Sequence, residues 1–317
     1  MRVVKFILSL SLAVIVMVGL SNGLAVATNQ TGFAVSPAFE QMQIQTGSAQ
    51  VQYSLQITNH NATDQTFLLS VVDFGTLDES GGVAFLGTPS TELEHKYGLA
   101  SWMTLEKNTV FVPAGKSVAV IVSVENRQSL APGGHYGAVL ATAINDPGTP
   151  AGDRVAVKQV LSSLVLVTKD GGAVADLRLA SQAHDGKFWR LPTLSEQRFQ
   201  NAGNVHVVPR GTVEVKDPWG RVVERASINE GSNAILPESF RRYKARMTSI
   251  QAAIWPGYYA VVTSYRYDGS ESLTYRSLGF WYAGQLIVWL LIIAAICAAL
   301  ALAWWLWWRP RKRKRKQ

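Results

Sequence analysis

The chain has 317 residues, one cysteine, and 30 basic against 22 acidic side chains. Two of the basic residues precede residue 28 and seven follow residue 308, leaving 21 against 22 acids in between, so the net charge of +8 belongs to the ends and excludes a nucleic-acid footprint. The lone Cys297 lies in an apolar run, which excludes a disulfide framework or thiol chemistry in the rest of the chain.

The N-terminus places Arg2 and Lys5 ahead of an apolar stretch from Phe6 to Val18, then the small-x-small sequence Ala25-Val26-Ala27. That order predicts a secretory signal peptide over residues 1–27, with an uncleaved anchor helix as the alternative. A first β-sandwich is expected over 32–169. Val51 to Thr58 alternates apolar and polar residues, Thr66 to Phe74 is β-rich, and "TVFVPAGKSVAVIVSVEN" gives strand, turn, strand. "HYGAVLATAI" and "RVAVKQVLSSLVLVT" then flank a Pro/Gly-rich loop, Asn145 to Asp153. "KDGGA", Lys169 to Ala173, marks the boundary.

A second sandwich is expected over 173–279: "AVADLRLASQA" opens it, "NVHVVPRGTVEVKDPWGRVVERASI" continues it with two turns, and a hairpin at Asp268-Gly269 closes it. Uncharged residues from Leu286 to Trp308 then suffice for a helix of about 20 residues, the length needed to cross a bilayer, so a transmembrane helix is placed at 285–308. Four tryptophans crowd its far end, and Phe280, Trp281 and Tyr282 mark its near end. The basic run 309–317 obeys the positive-inside rule. The expected product is all-β, two tandem immunoglobulin-like β-sandwich domains plus one C-terminal transmembrane helix. It sits in the plasma membrane as a single-pass protein with the N-terminal domains extracellular and the C-terminus cytoplasmic.

No local pattern for a nucleophile, P-loop or zinc site is present, and the histidines at 60, 95, 135, 184 and 206 are scattered. No catalytic residue, cofactor or metal is therefore assigned. Asp78 and Glu79 before Gly81-Gly82 read as a turn. Glu92, Glu94 and His95 read either as a metal cluster or as a polar connection leading into a buried Trp102. Trp102 and Trp255 are expected in cores. Trp189, in "GKFWRLP", and Trp219, in "DPWG", have two open readings, core filler or ligand contact, and are the candidate ligand-contact residues. Asn201, Gly203 and Asn204 read as a turn, with His206 in a following strand.

Trp102 with the turn Pro113-Ala114-Gly115, Pro132-Gly133-Gly134 before Tyr136-Gly137, and Asn201-x-Gly203-Asn204-x-His206 followed by Pro209-x-Gly211 together resemble the WxL-interacting protein family of Gram-positive bacteria. The resemblance implies a first domain that binds cell-wall polymer (peptidoglycan), a second that binds WxL-type or other surface proteins, and no catalytic residue. The expectation is a non-enzymatic cell-surface binding or scaffold protein active in adhesion. A membrane-tethered chaperone or assembly factor acting by β-strand pairing is the alternative, and an envelope hydrolase ranks third.

Overall fold

The computed structural model describes residues 32–87, 95–144, 159–270 and 272–308. The expected signal peptide, the loop Asn145 to Asp153 with Arg154 to Lys158 after it, Glu92 and Glu94, and the basic tail lie outside the described residues. The protein is all-β with one apolar C-terminal helix.

The first ten strands are β1 (Phe33–Ser36), β2 (Phe39–Ile44), β3 (Gln50–Asn59), β4 (Gln65–Thr76), β5 (Val83–Gly87), β6 (Met103–Leu105), β7 (Thr109–Val112), β8 (Ser117–Glu125), β9 (Gly133–Ala143) and β10 (Val160–Lys169). They form two sheets, β1-β3-β8-β6 and β2-β10-β9-β4-β5, with β7 also on β4. The chain changes sheet at the cis peptide Ser36-Pro37, so β1 runs antiparallel to β3 while β2 runs parallel to β10. Alternation decides what faces inward. In β3 the side chains of Tyr53, Leu55 and Ile57 are buried and those between them are exposed. They meet Phe67, Leu69, Trp102, Val120, Val122, Val139, Val165 and Val167 in one core.

The remaining strands are β11 (Leu177–His184), β12 (Leu194–Asn201), β13 (Arg210–Lys216), β14 (Val222–Ile228), β15 (Phe240–Arg246), β16 (Thr248–Ser249), β17 (Gly257–Arg266) and β18 (Thr274–Tyr282). They form the sheets β11-β12-β15 and β16-β14-β13-β17-β18. Their inward faces supply a separate core that includes Leu177, Phe199, Val213, Val215, Val223, Tyr259 and Val261. The expected turn at Asp268-Gly269 joins β17 to β18, and Gly269 takes a positive φ there. Helix α1 (Gly284–Trp308) follows β18 after the single residue Ala283 and is long and apolar enough to cross a membrane.

Two expectations are corrected. Trp255 is 46 % exposed, because it stands outside the second core in the loop before β17. His206 lies in an irregular segment that makes one bridge, Val207 to Ile235, so the strand read there is absent. The buried Asn201 explains why: its amide donates to Val205 O at 2.7 Å and Ile235 O at 2.9 Å, and its Oδ1 accepts from Gly203 N, replacing ladder bonds by side-chain bonds.

Candidate functional site

Where the two sandwiches meet, the outward face of the β10-β9-β4 sheet is apolar. Val72, Phe74, Tyr136, Ala138 and Leu166 form a cluster against which Ala234 and Leu236, from the loop before β15, pack. A cavity of about 380 Å³ opens beside it, lined by Phe39, Phe74, Val83, Leu164, Ala234 and Leu236 among others. Polar contacts frame the junction. Glu79, in the β4-β5 turn, receives Arg198 at 2.6 and 2.9 Å and Arg242 at 2.6 Å. Those guanidiniums, Arg198 first, hold its carboxyl down to about 2. Lys96 and Tyr97 both donate to Glu238.

The turn at Asn201 to Asn204 belongs to the same junction. Asn204 O accepts from Gly134 N at 2.8 Å, and its side chain binds Val174 N and Gly172 O. His206 sits with Nε2 2.8 Å from the Gln41 amide and its ring edge-on to Tyr136. Burial lowers its pKa to about 4 against the opposing pull of Asp268, leaving the ring neutral near pH 7. The motifs chosen from the sequence thus do joint and turn work.

The other marked residues do not converge. His60 is exposed, His184 packs on Phe280, and His135 lies buried beside the carbonyls of Gly98 and Ala131. His95 Nδ1 donates to the buried Asp73 Oδ2 at 2.6 Å, while Oδ1 of that carboxylate accepts from Leu99 N and Ala100 N at 2.7 Å each. Asp73 thereby orders the connection into Trp102, which is buried as expected. Among the described residues no group of three His, Cys, Asp or Glu side chains is close enough to share a metal. Trp189 and Trp219 are both exposed; Trp189 packs on Phe188, and Trp219 packs edge-on to Trp255 with ring centres 5.8 Å apart.

The sheet edges differ in how they are protected. An unpaired edge offers a row of N–H and C=O groups to any extended segment, and proteins block it with short strands, charges or bulges. In the first sandwich β1 and β6 have four and three residues. In the second, β11 carries a register shift between Leu179 and Ser181, β15 reads "FRRYKAR" with four basic residues, and β16 has two residues. β18 has none of these devices. It pairs with β17 over nine residues, Thr274 to Tyr282, without a register shift, and carries one charge, Arg276. Its outward face presents Tyr275 and Trp281, and its rim leaves Leu278 partly exposed. Sequence alternation showed this strand, yet which strand ends a sheet depends on long-range pairing that no local pattern carries.

No family model matches the chain, and no curated protein does. Solved structures similar to it include a chain of a CFA/I fimbrial chaperone–tip adhesin complex, at 10 % identity and a TM-score of 0.41, with 80 % of this chain and all of that one covered. A chain of the Salmonella enterica SafA pilin–SafB chaperone complex matches at 9 % identity and 0.39, covering 80 % of this chain and 98 % of its own. One from the CsuC–CsuE chaperone–tip adhesion subunit complex of Acinetobacter baumannii matches at 10 % and 0.37, covering 78 % and 98 %. Scores this low say nothing of what this chain binds.

The resemblance to the WxL-interacting family is corrected: no family model matches the chain. Peptidoglycan and WxL-type proteins fall with it as partners, since they rested on that resemblance alone. Of the motifs that carried it, Trp102 fills the first core, and Gly134, Tyr136, Asn204 and His206 make joint contacts.

Proposed function

We propose that this chain is a membrane-tethered, non-catalytic chaperone or assembly factor that holds an extended strand of an exported partner along the open edge of β18. The carrying observation is that, among the described residues, β18 is the longest unguarded edge: nine residues against six in β2 and five in β5, while β1, β6, β11, β15 and β16 are short, bulged or basic. The reading takes the two pairs of sheets as tandem immunoglobulin-like domains divided near Lys169 to Ala173. One core draws on residues up to Val167 and the other on residues from Leu177 onward, in support of that division. The domains face the exported side, α1 spans the membrane, and the basic tail stays in the cytoplasm.

Main-chain pairing supplies affinity in strand addition, and side chains alternating along the edge supply selectivity. Tyr275, Ser277 and Trp281 point outward beside that edge, so a photo-cross-linker at position 277 reports an added strand directly. Full-length chain in native membranes should cross-link from position 277 to one exported client, through an extended apolar segment of it. Leu273→Lys with Tyr275→Lys, both exposed positions beside the cross-linker, should abolish the capture and deplete the client from the envelope. Equal cross-linking from position 277 and from position 242 on β15, or a client level indifferent to the lysines, would sink the proposal.

A further inference from the structure

The end of the second sandwich nearest α1 gathers large exposed side chains from parts of the chain far apart in sequence. Phe188 and Trp189 come from the β11-β12 loop, Trp219 from the β13-β14 turn, Ile254 and Trp255 from the segment before β17, and Trp281 from β18. Trp189, Trp219 and Trp281 are 57 %, 62 % and 64 % exposed. Scattered exposed apolar side chains are ordinary, but a cluster of this size at one end of a domain marks a contact surface.

Backbone hydrogen bonds fix where that end lies. Ala283 N donates to Phe188 O at 2.8 Å, Gln285 N to Ala253 O at 3.2 Å, and Leu286 N to Ile254 O at 3.0 Å. Gly284, at φ 71°, lets the chain pass so close that a Cβ there would overlap the backbone of Trp255. The first amides of α1 are thus clamped to the very loops that carry the aromatics. Leu286 opens the apolar run after Gln285, so where α1 crosses a bilayer these loops fall at the level of the headgroup layer, roughly 5–8 Å deep on each side of the hydrocarbon.

We infer that Trp189, Trp219, Trp255 and Trp281 form a lipid-seated foot that holds the second sandwich against the bilayer its own helix enters. Indole rings favour this layer, where the ring is buried and the N–H stays wet. Of the three basic side chains in these loops, Arg190 is matched by Asp185 and Arg221 by Asp217, and Lys187 adds a single charge against four indoles. Aromatic burial rather than headgroup charge is therefore the attraction, and zwitterionic lipid should suffice. The foot assigns Trp189 and Trp219 to lipid in place of a soluble ligand. It also sets the direction of the β18 edge, rising from the membrane surface, without resting on strand capture.

The test uses the full chain in nanodiscs of phosphatidylcholine alone, labelled with a nitroxide at one cysteine at a time. Native Cys297 reports the span; Trp189→Cys, Trp219→Cys and, at the far end of β14, Ser232→Cys are each made in a Cys297→Ser background. Collision with oxygen and with a water-soluble nickel chelate then ranks each position between lipid and water. Labels at 189 and 219 should lose most of the nickel accessibility seen at 232 and fall between 232 and 297. Values at 189 and 219 equal to those at 232, with 297 reading as lipid, would overturn the foot while leaving the span. A water-like reading at 297 would overturn both, and neither result bears on the cross-link at position 277.

Discussion

His206 shows how a residue's position decides its chemistry. It is pressed between Tyr136 and the Gln41 amide, and burial holds its pKa near 4, whereas an unfolded histidine titrates near 6.5. A folded value below the unfolded one means that the contribution to stability is complete above about pH 6.5 and is lost as pH falls from there toward 4, by at most about 3 kcal/mol. Thermal melts at pH 7 and pH 4.5 should show a larger loss in the parent than in His206→Gln, which has no charge to acquire. Parallel losses would place the acid sensitivity elsewhere. From sequence, Asn201, Gly203 and Asn204 were legible as a turn, since small and Asn residues suit one. That Asn201 would satisfy three backbone groups, and so dissolve the strand expected around His206, depends on Ile235, 34 positions away. No local pattern contains that partner.

Elements were the most legible level, because each strand's alternation is written in consecutive residues: the β3, β8, β13 and β17 stretches were all read as strands where the sheets place them. Edges were not legible, since an edge is defined by a missing neighbour. One close approach joins β18 to its neighbour. The Tyr258 ring, on the neighbouring strand and paired with Trp281, lies across Gly279 where a Cβ would overlap it. Gly279→Ala should displace that ring and destabilise the second sandwich by about 1–3 kcal/mol, as overpacking does. The measurement is denaturant unfolding of the full chain. An unchanged midpoint would show that the ring moves at no cost.

At the scale of the whole molecule the question is what holds the two sandwiches together, ions or apolar surface. The ion pair at Glu238 stands in solvent and those at Glu79 are partly exposed, so screening by water and salt reduces what they contribute. The apolar seam buries Phe74, Tyr136 and Leu166 almost completely, and each large apolar side chain removed from water contributes roughly 1.5–3 kcal/mol. The seam should therefore dominate. Its signature was present in sequence as "LVLV", Leu164 to Val167, a continuous apolar run of the kind found in strands buried on both faces. Val165 and Val167 enter the first core while Leu164 and Leu166 face the second sandwich. Leu236→Asp puts a charge into the seam and should widen the distance distribution between spin labels at His60→Cys and Ser272→Cys, measured in a Cys297→Ser background. Glu79→Gln with Glu238→Gln, or raised salt, should leave that distribution nearly unchanged. Widening by salt or by the double glutamine variant, with Leu236→Asp silent, would reverse the ranking and make the junction an electrostatic hinge.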